Sequence, residues 1–81
     1  MPRLAVSQDQ QRSLVRLGDA IRARRQSLKL SQEALADQAG INRTHMGEVE
    51  RGKRNPSLVA LMSIADALQC SVAVLTGEAR L

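Results

Sequence analysis

Cap residues and glycines at close intervals divide residues 30–57 into short pieces. Ser31 and Asn42 are strong helix N-caps, and each precedes a segment with apolar residues at helical spacing. Gly40 supplies the left-handed residue that ends the first segment, and Gly52 ends the second. Only two short helices fit between these stops, Gln32 to about Gln38 and Arg43 to about Arg51. In the first, Leu35 and Ala36 turn inward, and Ile41 buries in the turn. In the second, Met46 and Val49 form the buried face.

The flanking segments read as helices too. Leu14, Leu17, Ile21 and Leu28 give an inward stripe from about Gln10 to Leu28, broken at Arg24, with Arg12, Arg16 and Arg22 on the opposite face. Beyond Pro56, Ser57 caps a fourth helix with Leu58, Leu61, Met62, Ala65 and Leu68 on one stripe. Ser71 opens a last helix, Val72 to about Thr76, closed by Gly77. The 81 residues include no Phe, Tyr or Trp although 43% are hydrophobic, so the core must be built from aliphatic side chains, which suits packed helices better than a sheet. The expectation is an all-α domain of five helices over residues 10–77. Residues 1–9 are expected to form a flexible arm and 78–81 a tail.

Composition narrows the partners. Formal net charge is +4, and residues 12–54 hold ten Lys/Arg against five Asp/Glu, which favours a polyanion. Single-strand and RNA modules stack bases on aromatic rings, and this chain has none. No apolar run reaches the ~18 residues of a membrane span, and the N-terminus lacks a signal-peptide pattern, so no membrane partner and a cytoplasmic location are expected. One His and one Cys, no paired acids and no phosphate-binding Gly loop argue against an enzyme, a metal or a cofactor. Cys70 reads as a small buried thiol.

The helix at 43–51 carries the candidate chemistry. Positions 43, 44, 47 and 48 project near one another. Arg43 has the geometry for guanine O6 and N7, and Thr44 offers a methyl or hydroxyl to a base or phosphate. Gly47 would let the helix approach the groove floor, at a cost of roughly 1 kcal/mol of helix stability relative to Ala. Glu48 could accept from cytosine N4, or repel phosphate and lower non-specific affinity. His45 could contact a phosphate or base, or simply be solvated. Gln32, at a helix N-terminus, could hold a phosphate. Arg51, Lys53, Arg54 and Asn55 follow, with the loop residues in reach of backbone oxygens and Arg54 and Asn55 also in reach of bases at the groove edge. Arg25 and Glu50 read differently: an ion pair at the junction of the first and third helices that fixes the reading helix.

These residues resemble the Cro/C1-type (XRE) helix-turn-helix family. The likeness rests on Leu17-Gly18, Ile21-Arg22, Leu30-Ser31-Gln32-Glu33, Leu35-Ala36, Ala39-Gly40-Ile41, Glu50-Arg51-Gly52, Arg54-Asn55-Pro56-Ser57-Leu58 and Ile64-Ala65. Arg43-Thr44 before Met46, with the Glu50-Arg51-Gly52 turn and Arg54-Asn55, is further similar to controller proteins of restriction–modification systems. The resemblance implies a lambda-repressor-like five-helix fold and a DNA-binding transcriptional regulator of double-stranded DNA. It implies a homodimer on a palindromic operator, read through the major groove, with autoregulation and block or recruitment of RNA polymerase. The dimer face would fall on the end of the fourth helix with Val72, Val74, Leu75 and Leu81, although Val72 and Leu75 could equally complete the monomer core. His45 and Glu48 depart from the family pattern, so the operator cannot be borrowed from a relative. The alternative reading is a protein-interaction module, such as the antitoxin of a toxin pair.

Overall fold

The structure is a computed structural model that describes residues 6–81. Its five helices are α1 (Gln8–Ser27), α2 (Gln32–Ala39), α3 (Arg43–Glu50), α4 (Leu58–Ala67) and α5 (Val72–Glu78). Every helix starts on a side chain that accepts from a backbone N–H of its first turn: Ser7, Ser31, Asn42, Ser57 and Ser71. At α1 the cap is reciprocal, because the Gln10 side chain accepts in turn from the Ser7 N–H at 2.9 Å. That box starts α1 two residues earlier than the apolar spacing predicts. Of the expected arm, residues 1–5 lie outside the described residues, and Ser7 to Asp9 belong to the start of α1.

The helix ends share one turn. In each, a residue at the cap (α2) or just after it (the other four) takes a left-handed backbone and the next N–H reaches back five residues, as Lys53 does to the Glu48 carbonyl at 2.9 Å. Gly40 and Gly52 serve α2 and α3, but Lys29, Gln69 and Arg80 serve the other three. Gly77 therefore does not close α5. The helix continues through it to Glu78, and Ala79, expected in a tail, is buried in the core.

Leu17 and Ile21 of α1, Leu35 and Ala36 of α2, Met46 and Val49 of α3, and Leu61, Ile64, Ala65 and Leu68 of α4 meet with Leu75 at the centre. Helix α2 packs on α3 and α4, α1 packs on α3 and α5, and α4 and α5 run at 92° to each other. The stripe expected on α4 is split. Leu61, Ala65 and Leu68 face inward with Ile64, whereas Leu58 and Met62 are 66% and 51% exposed. Because α4 is apolar nearly all round, its own periodicity does not choose the inner face, and the packing of α2 and α5 does.

The arginines of α1 also depart from expectation. Arg16 and Arg22, expected on the face opposite the apolar stripe, both reach across to other helices. Arg22 donates to the carbonyl of Glu50 (2.9 Å), Arg24 to that of Leu68 (3.1 Å) and Arg16 to that of Ala79 (3.1 Å). Those oxygens lie at the C-terminal ends of α3, α4 and α5, where carbonyls lack intrahelical partners and the helix dipole is negative. Guanidiniums on one long helix thus cap three short ones. Arg12 stays at the surface, paired with Asp9 at 3.2 Å.

Candidate nucleic-acid interface

Helix α3 is held from behind by one enclosed acid. Glu50 is 1% exposed, and its carboxylate receives Arg25 at 2.7 and 3.0 Å in a two-pronged contact. Gln32 Nε2 donates to the same carboxylate at 3.1 Å, and Arg22 Nε stands 3.7 Å away. The ion pair expected of Arg25 and Glu50 is present at the junction of α1 and α3. It extends further than expected, since Gln32 ties α2 into the same cluster. One of the two Nε2 hydrogens of Gln32 is committed to Glu50, which leaves the other for a ligand.

The outward side of α3 opens on a cleft of about 350 Å³ lined by Gln32, Arg43, Thr44, Gly47 and Arg51. Gly47 lies at its floor. A Cβ there would stand 3.2 Å from the Arg51 guanidinium and 3.3 Å from Gln32 Oε1, so the missing side chain lets groups from α2 and from the end of α3 close over the helix. Arg43 and Thr44 are exposed at the rim. The cleft thus brings together five of the ten residues singled out in the sequence. Lys53 and Asn55 are exposed in the loop that follows, and Arg54 joins them there.

Two of the remaining residues hold unexpected positions. Glu48 pairs with Arg54 at 3.3 Å, so neither charge stands alone. His45 gives its backbone N–H to the Asn42 cap at 2.7 Å, while its Nε2 is enclosed without a partner. That atom is turned away from solvent, and only the rest of the ring is open to a contact. No local pattern announces the Gln32–Glu50 bond, which joins residues 18 apart. The Glu48–Arg54 pair did have a signal: a left-handed Gly52 folds the loop back beside the last turn of α3.

Sequence comparison agrees with this geometry. The helix-turn-helix family profile matches residues 21–75. The chain is 45% identical over 56 residues to the control protein C.SmaI of Serratia marcescens, covering 69% of this chain and 67% of that protein. It is 39% identical over 62 residues to the immunity repressor of Bacillus phage phi105, covering 76% of this chain and 43% of the repressor. The chain therefore spans under half the length of that repressor. Among solved structures, the restriction-modification controller protein C.AhdI of Aeromonas hydrophila superposes with a TM-score of 0.75 at 44% identity, over 76% of this chain and 94% of that one. With α2 and α3 forming the helix-turn-helix and an open cleft on α3, the chain belongs to the Cro/C1-type helix-turn-helix family of transcriptional regulators, and within it is similar to restriction–modification controller proteins.

Proposed function

We propose that this protein is a transcriptional regulator that binds double-stranded DNA sequence-specifically as a homodimer, acting in the cytoplasm. The observation that carries the reading is the cleft on α3. Two arginines, a threonine and a glutamine converge there on a floor without a side chain, while the opposite side of the helix is locked into the core. A helix so presented fits a major groove about 12 Å wide, with Arg43 and Thr44 toward base edges. Lys53, Arg54 and Asn55 flank it at the height of the phosphates. The names of its relatives, control protein and repressor, support a role in controlling transcription.

The dimer has support at the other end of the molecule. Leu58, Met62 and Val72 line a cleft of about 440 Å³ where α4 meets α5, and Val59 beside it is 73% exposed. Exposed apolar side chains around a cleft favour association. Of the dimer face expected from the sequence, Val72 lines this cleft, and Val74 and Leu81 are exposed. Leu75 is left to the monomer core.

Selection of duplexes from a random pool at two salt concentrations tests the reading. The expected result is one two-fold symmetric site whose half-sites lie about one helical turn apart, bound less tightly at higher salt. Uniform weak binding with no enriched site would overturn it and favour a protein partner such as a toxin.

A further inference from the structure

The charge arrangement on the reading side of α3 contains one element that base contact alone does not require. Glu48 places a carboxylate on a helix proposed to enter a groove walled by phosphates, and Arg54 meets it at 3.3 Å with both side chains partly exposed. The meeting is built into the backbone. Gly52 takes the left-handed conformation, its N–H bonds to the Val49 carbonyl at 3.1 Å, and the Lys53 N–H bonds to the Glu48 carbonyl at 2.9 Å. The residue after Lys53 must therefore leave the turn beside Glu48. Among the described residues, Arg43, Arg51 and Lys53 have no acidic partner, so Arg54 is the cation of this surface whose charge is already matched.

We infer that Glu48 holds Arg54 away from the phosphates and releases it when a base amino group takes over the carboxylate, so that the pair turns a correct base into a phosphate contact. This rests on the DNA-binding reading above and names a specificity element within it. On a mismatched duplex, moving Arg54 to a phosphate strands the Glu48 carboxylate beside a polyanion, and the exchange gains nothing. Where the major groove presents the N4 amino group of cytosine, Glu48 accepts from it. Arg54 then reaches the backbone and releases counterions. An exposed ion pair is weak, so the device biases binding severalfold and does not block it. Glu48 reads the base, and Arg54 is the residue whose contact it controls.

The salt dependence of binding separates this from a merely structural pair. The full chain, Glu48→Gln, Arg54→Gln and the double variant are titrated against the selected site and against a scrambled duplex. Arg54→Gln should flatten the slope of log K against log salt by about 1.8 on the selected site, about 0.9 for each copy in the dimer, and by much less on the scrambled one. In the Glu48→Gln background it should flatten both slopes by about that amount. Glu48→Gln alone should tighten scrambled binding, with a larger gain at 50 mM than at 200 mM salt. It should also relax preference at one base pair of each half-site. Equal slope changes on both duplexes while Glu48 is present, or a change on neither, would overturn the inference. Absence of salt-dependent duplex binding by the unaltered chain is a distinct result, and it would sink the functional reading together with this one.

Discussion

Gly18 of α1 lies directly against the C-terminal turn of α3, facing the carbonyl of Glu50 that also receives Arg22. A Cβ at position 18 would collide with that carbonyl and come within 2.6 Å of the Val49 carbonyl oxygen. Since both obstacles are backbone, α3 itself would have to move. The close approach is what allows an α1 guanidinium to reach the end of the reading helix.

Gly18→Ala should therefore destabilise the protein by about 1–3 kcal/mol despite the better helix propensity of alanine. Gly77→Ala should do the opposite. Position 77 lies inside α5 and faces open space, so the substitution should stabilise by roughly 0.5–1 kcal/mol. Urea unfolding of the two variants checks both signs, and equal signs would contradict the packing described here.

Arg25→Ala should cost about 3–5 kcal/mol, because it leaves the enclosed Glu50 carboxylate with Gln32 and a more distant Arg22. The double change Arg25→Met with Glu50→Leu should cost much less, since it removes both charges together. Denaturation midpoints decide this. DNA affinity of Arg25→Ala should fall in proportion to the unfolded fraction, which identifies a fold effect rather than a lost contact.

Arg43→Ala and Lys53→Ala should separate base reading from backbone contact. Arg43→Ala should lose about 1–3 kcal/mol of discrimination at one base pair per half-site. Lys53→Ala should weaken selected and scrambled duplexes alike and reduce the salt slope by about 1.8, about 0.9 for each copy in the dimer. Fluorescence anisotropy on both duplexes is the measurement. Equal losses on the two duplexes for Arg43→Ala would remove it from base readout.

Cys70 offers a pH dependence. Burial pushes its thiol above the ordinary value of 9.0, with the nearby Arg24 charge opposing and Glu78 adding to the rise. A raised folded-state value means that the contribution to stability is complete below the unfolded thiol's titration. It is then lost as pH rises from there through the folded value. Stability should accordingly decline above about pH 9, and Cys70→Ala should lack that part of the decline. Alkylation by iodoacetamide at neutral pH should be slower than for an unstructured thiol, because less thiolate is present. A neutral-pH rate matching that of a free peptide would contradict the burial.

Local chemistry wrote most of the secondary structure into the chain. Ser31, Asn42, Ser57 and Ser71 open their helices through bonds spanning three residues, and Gly40 and Gly52 close theirs with a backbone that other residues adopt at a cost. Such interactions need no partner from elsewhere in the fold. The same logic misplaced the end of α5, because left-handed closure there falls to Arg80, and sequence gives no warning when a non-glycine takes that role.

Tertiary structure alone decided which faces and which charges were spent. Helix α4 could have buried several stripes, and its neighbours chose Ile64 over Leu58 and Met62. Arg16 and Arg22 looked like a solvated face and Arg24 like a gap in the apolar stripe, yet the three end on carbonyls 63, 28 and 44 residues away. Arg25–Glu50 was legible as a pair, but not the Gln32 amide that joins it, nor the enclosure of His45 Nε2. Caps and turns are settled by atoms within a few residues, where the sequence itself fixes the distance. A guanidinium on a flexible stem has many possible acceptors, and only the packing of whole helices brings one of them to 3 Å.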